Sequence, residues 1–416
     1  MVTAVAVLAA LAPRPASAGG ASLYEIGSPD TGLAGAGYAA RAQDASTLFT
    51  NPAGMTRLSR SQSLFGIQPM YGDFDFHADR NNTVAGGGGG NASGFILSGS
   101  NFFVHSLSPD FKIGFGALSY FGSGLDYDSG WVGRYYVQDI NVMGLTLMPA
   151  AAYRICEQFS VGAGLNIMYG TLSQDIAVNN VADSLGDGRI TIEDDTWGFG
   201  GNFGVLFEAS PTTRFGLTYL TQVDLDFDDS PEFRKIGPGL ESVIEQRGFR
   251  SISLDMTVPQ SLMASVYHEL DDQIALLGNL GWQDWSRFGM VGVGIQSNDP
   301  KSLTWDRDYR DTFHFAVGLQ YRPAPEWTLS CGVAYDTSFV KDRDRTVDFP
   351  GGATLRIGLG AQYEVNDNLT LGLAYELADS GSLSVEQSRG DLGGRVSGEY
   401  DYVLVHVFTI SIIWKL

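Results

Sequence analysis

The chain has 416 residues, among them 53 glycines, and 12% of its residues are aromatic and 18% charged. Its formal net charge of −21 excludes the basic surface that a nucleic-acid partner requires. Past the N-terminus there is no apolar run near the roughly 18 residues that a membrane-spanning helix needs, which excludes a bundle of such helices. Much glycine, many aromatics and little charge instead suit strands whose side chains alternate between lipid and lumen.

The first residues have the pattern of a secretory signal peptide. Val2 to Leu11 are apolar, and Ala16-Ser17-Ala18 offers a small-x-small cleavage site before Gly19. We therefore expect residues 1–18 to be a signal peptide, and the product to be secreted or to lie in the outer membrane of a Gram-negative bacterium.

Residues 19–61 show no alternation and are rich in small side chains, including Gly32, Gly35 and Gly37. No strand precedes this glycine run and no Lys-Ser/Thr follows it, so it does not fit a phosphate-binding loop. Asn51-Pro52-Ala53 favours a tight turn, because proline restricts the preceding residue and asparagine bonds its own backbone. Placed before the strands described next, this segment is predicted to fold in a barrel lumen as a hatch.

Residues 62–416 alternate repeatedly with a period of two. Between Leu369 and Leu377, the odd positions are leucine or tyrosine, and the even ones are Thr370, Gly372, Ala374 and Glu376. Because successive side chains of a strand point to opposite faces, each such segment has one apolar face and one small or polar face. Strands are predicted at 62–73, 95–104, 111–121, 144–154, 159–171, 196–208, 214–226, 258–268, 274–285, 312–321, 327–335, 353–364, 369–378 and 404–414.

The connections between these segments alternate between short turns and long loops, which is typical of outer-membrane barrels. Aromatic residues close the strand before nearly every short turn, as an interfacial girdle would: Phe103, Tyr153, Phe207, Tyr267, Tyr321 and Tyr363. The predicted fold class is therefore all-β, a transmembrane antiparallel β-barrel of about 14 strands over residues 62–416, with the hatch (19–61) in its lumen.

Few residues are candidates for a catalytic or metal-binding site, and neither a cofactor nor a metal is predicted. Cys156 falls in a turn and Cys331 on a lipid-facing strand, so we expect both thiols to be unpaired. The five histidines are scattered over unrelated strands and loops, which disfavours an outer-membrane enzyme such as a lipase or protease. The stretch 183–194 partly resembles a calcium loop, but Leu185 occupies a ligand position.

Two acidic clusters, Asp224 to Asp229 and Asp342 to Asp348, fall in predicted loops. The simpler interpretation is that they are solvated loop tips. The alternative is that they bind divalent cations that bridge to anionic lipid head groups outside the cell.

The chain resembles the FadL family of outer-membrane transporters of hydrophobic compounds over nearly the whole mature sequence. The resemblance is carried by Asn51-Pro52-Ala53, Trp131–Tyr135, Phe215–Tyr219 and Trp282–Phe288, in an order and spacing that agree with the predicted strands. It implies a 14-stranded barrel with a hatch whose tip is the Asn51-Pro52-Ala53 turn. It also implies a groove between two extracellular loops, an interior pocket, and an inward kink in the third strand that opens the wall laterally.

The residue pattern independently indicates an apolar groove in the loops. Leu240, Val243 and Ile244 are spaced i, i+3, i+4, which predicts a short amphipathic helix within 237–246. Exposed apolar clusters usually mark binding sites, although loops that pack on each other to cap the barrel are the alternative. The predicted groove residues are Ile176, Val178, Val181, Leu185, Phe233, Ile236, Leu240, Val243, Ile244 and Phe249.

Two smaller sets of candidates follow from the third strand and from the arginines. Glycine inside a strand marks bends, so a kink is predicted among Gly114, Gly116, Gly122 and Gly124. The alternative is that these glycines face the lumen and make room for the hatch. A carboxylate head group would need a basic or amide partner, for which Arg134 and Arg356 are candidates.

The predicted function is uptake of hydrophobic small molecules, in the first place long-chain fatty acids, by a monomer embedded in outer-membrane lipid and lipopolysaccharide. An uptake channel for aromatic hydrocarbons is the alternative. A general diffusion porin is disfavoured, because its lumen needs a charged constriction, whereas the inward positions here are mostly Gly, Ala, Ser and Thr.

Overall fold

The computed structural model describes residues 22–180 and 185–416, without the side chains of residues 391 and 392. The predicted signal peptide and Val181 of the predicted loop groove lie outside the described residues. Among the described helices, none has the length and apolar character to cross a membrane.

The described strands are β1 (Gln62–Asp73), β2 (Phe76–Ala78), β3 (Gly94–Ser106), β4 (Phe111–Asp126), β5 (Asp139–Cys156), β6 (Phe159–Val178), β7 (Gly188–Ser210), β8 (Thr213–Leu220), β9 (Val223–Asp229), β10 (Glu232–Arg234), β11 (Ser251–Val258), β12 (Ser261–Glu269), β13 (Ile274–Gln283), β14 (Met290–Gln296), β15 (Lys301–Asp306), β16 (Thr312–Ala324), β17 (Trp327–Asp336), β18 (Thr354–Asn366), β19 (Leu369–Asp379), β20 (Leu383–Ser388), β21 (Arg395–Tyr400) and β22 (Leu404–Lys415). The helices are α1 (Ser28–Gly32), α2 (Thr47–Thr50), α3 (Pro238–Arg247), α4 (Trp285–Phe288) and α5 (Gly390–Gly393), with 3₁₀ turns at Pro52–Arg57 and Asp342–Asp344.

Fourteen of the described strands form a closed antiparallel barrel, which confirms the predicted fold class. Each strand pairs with its neighbour along the chain, apart from the cap strands introduced below, and β7 pairs with β8. The ring closes between the first and last strands, where Gln62 of β1 is the register partner of Lys415 of β22. The wall strands are β1, β3–β8, β12, β13, β16–β19 and β22.

The alternation seen in the sequence separates the two faces of the wall. On β19, Leu371 and Leu373 point outward and are exposed, whereas Gly372 and Ala374 point inward and are covered. The outward row would be unfavourable in water but suits contact with lipid. The inward row is small because other parts of the chain lie directly against it.

The seventh predicted strand, 214–226, is interrupted in the structure, and this corrects the sequence-based assignment. The wall strand β8 ends at Leu220, and β9 begins at Val223 in a separate sheet with β11. Alternation continues across the break, so the sequence pattern does not reveal it. The reason for the break is burial, since Val223, Leu225 and Phe227 all turn their side chains into an apolar core above the barrel.

The long loops form a cap at one end of the barrel, defined here as β2, β9–β11, β14, β15, β20, β21, their connections, and the loop 127–138 between β4 and β5. One cap sheet has the order β9-β11-β14-β15, and the other has the order β2-β21-β20. The acidic residues of β9 are largely exposed, as expected for loop tips. Asp348 of the other acidic cluster departs from that expectation, because it is buried and paired with Arg307 at 2.8 Å.

Candidate functional site

Residues 22–61, the hatch segment, lie against inward-facing residues all around the barrel. The hydroxyl of Ser100 on β3 donates to the carbonyl of Ile26 at 2.6 Å, and the backbone N–H of Ala39 donates to the hydroxyl of Ser265 on β12 at 2.9 Å. Further hydrogen bonds join the segment to β22, β7 and β6: Ser28–Ser411, Thr31–Thr409, Asn202–Phe49 and Thr56–Ser160. The contacts therefore follow a circuit inside the wall.

The predicted turn at Asn51-Pro52-Ala53 is fully buried and joins the hatch segment to β7. The Asn51 side-chain amide donates to the carbonyl of Ala39 at 2.7 Å and to that of Val205 at 2.9 Å. Its side-chain oxygen accepts a bond from the N–H of Ala53 at 3.1 Å. Asn51 is extended, as the residue before a proline prefers, and Pro52 then begins a 3₁₀ turn. One side chain thus fixes both the turn and its place on the wall.

A row of inner-wall glycines allows the close approach of residues 31–36. Gly318, Gly332 and Gly358 are register partners on β16, β17 and β18. A Cβ at Gly332 would overlap the carbonyl of Leu33, and one at Gly358 would overlap that of Thr31. Glycine is required here for space and not for backbone conformation.

The candidate kink glycines fall on both sides of an irregularity in β4. Pairing of β4 with β5 shifts register between Leu118 and Phe121, where β4 carries an extra residue. A Cβ on Gly114 or Gly116 would press on Leu48, so these two glycines make room for the hatch segment. Gly122 and Gly124 lie beyond the bulge, on the part of β4 that pairs only with β5.

The wall pairing is interrupted beside this bulge. β3 and β4 pair only up to Ser100 and Leu118, although β3 continues to pair with β1 as far as Gly94. The hatch segment meets the unpaired part of β4, where the N–H of Leu23 donates to the carbonyl of Tyr120 at 2.8 Å. The start of the hatch segment therefore lies at an opening in the hydrogen-bonded wall.

A charged cluster joins the hatch segment to four wall strands, and sequence reasoning identified only Arg356 of its members. The Arg356 guanidinium contacts Glu25, Asp336 (Nε to Oδ2, 2.6 Å) and Glu376 (3.1 Å). His314 Nδ1 lies 2.7 Å from the other oxygen of Asp336. Arg356, Glu376 and His314 all occupy inward positions of the alternating pattern, and this placement was the signal available in the sequence.

A second buried cluster lies within the hatch segment itself. Arg41 pairs with Asp44 at 2.5 Å and with Asp30 at 3.1 Å, and it donates to the hydroxyl of Ser46 at 2.9 Å. Burial raises the pKa of the Asp30 carboxyl to about 6, and the nearby Asp44 carboxylate acts in the same direction while Arg41 opposes it. The same arginine, helped by Ser46, keeps the pKa of Asp44 below its usual value in spite of burial. At mildly acidic pH the Asp30 carboxyl is therefore more protonated than the Asp44 carboxyl.

The predicted loop groove is brought together only in part. Ile176 of β6 and Phe233 of β10 both pair with Ile190 of β7, and the Phe233 and Phe249 rings lie 5.7 Å apart, edge to face. The predicted helix is present as α3, but none of its residues is buried. Its Leu240, Val243 and Ile244 therefore remain at the surface, as does Leu185, while Ile236 is half-buried and Val178 is buried.

Arg134 lies in the cap, far along the chain from the charged cluster. Its guanidinium pairs with Asp187 at 2.6 Å and donates to the carbonyl of Ala85 at 2.9 Å. It lines a cleft of about 490 Å³ together with Tyr135 and Arg395. Trp131 of the same motif is fully buried against Tyr127, with the two rings stacked at 3.8 Å. This part of the motif builds the core of the cap.

An aromatic cluster that was not predicted lies between the cap and the lumen: Trp285, Phe288, Tyr309, Phe339 and Phe349. Its rings are 4.9 to 6.4 Å apart, and Phe288 lies 5.9 Å from Phe121, next to the β4 bulge. Trp285 and Phe288 belong to the motif at 282–288, where Asp284 caps α4 by accepting from the N–H of Arg287.

A small cavity separates the aromatic cluster from the charged cluster. Its volume is about 30 Å³, and it is lined by Trp285 and Phe339 on one side and by Tyr24, Asp336 and Arg356 on the other. That volume suits about one water molecule, not an acyl chain. This cavity therefore admits an acyl chain only if the surrounding side chains or the hatch segment move.

Comparison with known proteins agrees with this architecture. A family model described as outer membrane protein transport protein (OMPP1/FadL/TodX) matches residues 9–413. The long-chain fatty acid transport protein of Escherichia coli O6:H1 is 26% identical, with 89% of each chain covered.

Two solved structures share the fold. The Pseudomonas aeruginosa FadL homologue superposes with a TM-score of 0.86 at 20% identity, covering 95% of this chain and 99% of the other. The Ralstonia pickettii toluene transporter TbuX gives a TM-score of 0.67 at 18% identity, with the same coverage. Because the family model spans nearly the whole chain, the protein is an outer-membrane β-barrel that belongs to the OMPP1/FadL/TodX family of transport proteins.

Proposed function

We propose that the protein mediates facilitated uptake of hydrophobic small molecules, with long-chain fatty acids as the first candidate ligands. The ligand is captured in the loop groove, passes to an interior pocket at the aromatic cluster, and leaves laterally through the wall. The observation that carries the proposal is the position of the hatch segment, whose start bonds to the unpaired part of β4 at the gap between β3 and β4.

The driving force is transfer between phases. Burial of each methylene stabilises the bound state by about 0.8 kcal/mol, so an acyl chain partitions readily into an apolar groove and pocket. Phe233 and Phe249 supply the apolar surface outside, and Trp285, Phe288 and Phe339 supply it inside. Net inward flow then needs only consumption of the ligand inside the cell.

Aromatic hydrocarbons are the second candidate ligands. The interior surface beside the cavity consists of aromatic rings, which pack favourably on other rings in offset or edge-to-face arrangements. The toluene transporter with the same fold adds weight to this alternative.

We further propose that the protein acts as a monomer within outer-membrane lipid and lipopolysaccharide. Pairing of β1 with β22 and of β7 with β8 closes the ring within one chain, so ring closure does not require strands from a second copy. The outward leucines and aromatics of the wall supply the surface that lipid contacts.

The test is uptake of a labelled long-chain fatty acid and of toluene by cells that lack their own transporter for these compounds. Cells that express the protein should take up at least one of the two. Replacement of Asn51-Pro52-Ala53 by Ala-Gly-Ala should abolish uptake while the barrel still folds, because the turn loses its hydrogen bonds to Ala39 and Val205. Asn101→Ala on the lipid-facing side of β3 is the matched control and should transport normally.

Uptake of neither compound by the unmodified protein would refute the proposed function. Normal uptake by the variant with the replaced turn would refute only the gating role of the hatch segment.

A further inference from the structure

A ligand inside the lumen would contact charged side chains in the cavity between the aromatic and charged clusters. Arg356 is the only cationic side chain among the described residues that line it. Arg307 of the cap core is already paired with the buried Asp348 at 2.8 Å. An anionic head group would therefore depend on Arg356 alone.

Arg356 is already engaged where it lies. Glu25, Asp336 and Glu376 all contact its guanidinium, and all three carboxyl groups are largely or fully buried. Of the three, Asp336 lines the cavity. A ligand in the cavity therefore meets a guanidinium whose charge is already offset by its carboxyl partners.

An anion in this cavity would lose its hydration and lie beside the Asp336 carboxylate, with no further cation among the described lining residues to pair with it, which is strongly unfavourable. A hydroxyl or a protonated carboxyl meets no such repulsion and can donate a hydrogen bond to Asp336. We infer that the interior pocket accepts its hydrophobic ligand only in an uncharged form, as a hydrocarbon, an alcohol, an ester or a protonated fatty acid, and excludes the anion. This inference rests on the proposed function, because it concerns the same pocket.

The test compares three ligands with the same dodecyl chain, brominated near its end: an alcohol, a methyl ester and a sulfonate, which stays ionised at any working pH. The mature protein is placed in lipid nanodiscs, and quenching of Trp285 is obtained by subtracting the signal of the Trp285→Phe variant. We expect the alcohol and the ester to quench at concentrations at least about tenfold lower than the sulfonate.

Asp336→Asn removes the carboxylate that lines the cavity, with little change of shape, and should reduce this preference several-fold. Glu364→Gln, an exposed position on β18, is the matched control and should keep the preference of the unmodified protein. Equal quenching by sulfonate and alcohol, or an unchanged preference in a folded Asp336→Asn barrel, would overturn the inference alone. Absence of quenching by all three ligands would overturn the proposed function together with it.

Discussion

Single inner-wall glycines determine how closely the hatch segment approaches the barrel. A methyl group at Gly332 would occupy the position of the Leu33 carbonyl, so Gly332→Ala must displace residues near α1. We expect the seal of the lumen to loosen, at a cost of about 1–3 kcal/mol for overpacking. In planar bilayers the variant should therefore show a measurable ionic conductance, whereas the unmodified barrel stays closed.

Gly278→Ala is the control for this substitution, because its Cβ would meet the side chain of Val266 at 3.2 Å and the Ala316 carbonyl only at 4.0 Å, an ordinary contact distance. This variant should remain closed. Equal conductance of the two variants, or no conductance in either, would show that the contact at Leu33 does not seal the lumen.

Asp30 makes the hatch segment sensitive to pH. The unfolded carboxyl has a pKa of 3.8, and burial among Arg41, Asp44 and Glu25 raises it to about 6 in the folded segment. Between these values the folded segment keeps a proton that the unfolded one releases, so its stability falls as pH rises, by up to about 3 kcal/mol. Hydrogen exchange of the amides near Asp30, corrected for intrinsic rates, should show weaker protection at pH above about 6 than near 4.

The isosteric variant Asp30→Asn cannot ionise and keeps an oxygen that accepts from Arg41. Its protection should change little over the same range of pH. If the unmodified protein and Asp30→Asn showed the same dependence, the titrating group would have to lie elsewhere.

At this scale the sequence predicts which side chains face inward, but not what they meet there. Alternation assigns Arg356 and Glu376 to the inner face, and Asn51-Pro52 indicates a turn. The partner of Arg356 on the hatch segment, Glu25, lies 331 residues away in the chain and in a segment without periodicity. From the sequence Arg356 is therefore a candidate head-group ligand, whereas in the structure it lies at the centre of an acidic cluster.

At the scale of elements, β4 is the strand that departs from regular pairing. Its extra residue near Ser119 shifts the register with β5, and beyond Leu118 it no longer pairs with β3. Deletion of Ser119 should restore the register and allow β3 and β4 to pair along their full length. We expect the deletion to stop uptake, since it would close the gap between β3 and β4 through which we propose the ligand leaves, while the barrel still folds.

Ser119→Ala is the control, because it preserves the number of residues and the carbonyl that accepts from Ser98. Uptake should be normal in this variant. Normal uptake by the deletion variant, with β3–β4 pairing verified by hydrogen exchange, would mean that ligand leaves the barrel by another route.

The number of strands and their order could be predicted because each wall strand buries one face and exposes the other to lipid. The break between β8 and β9 could not be predicted, because apolar residues occupy the odd positions of both strands although they face opposite sides in the structure. The β4 bulge was likewise hidden, since the glycines around it serve the hatch segment as well as the bend. The alternation within a strand predicts which face each side chain occupies, but it does not predict which segments pack against that face.

For the whole molecule, the contacts between the hatch segment, the wall and the cap are the main result. In the part of the chain that the structure describes, the hatch segment contacts the inside of the wall on many strands, the cap lies at the long-loop end, and a cavity of about 30 Å³ lies between the aromatic and charged clusters. The family resemblance predicted a hatch and an interior pocket, but the composition of that pocket depends on loops far apart in the chain. Trp285 and Phe349, for example, come together only through the packing of α4 against the loop before β18.

The most direct measurement links the hatch segment covalently to the wall and then measures uptake. The hydroxyls of Thr31 and Thr409 lie 2.8 Å apart, so the pair Thr31→Cys and Thr409→Cys, with Cys156 and Cys331 changed to serine, is placed to form a disulfide. We predict that oxidised cells take up no hydrophobic ligand and that reduction restores uptake. Uptake at the same rate in the oxidised and reduced states would contradict the account.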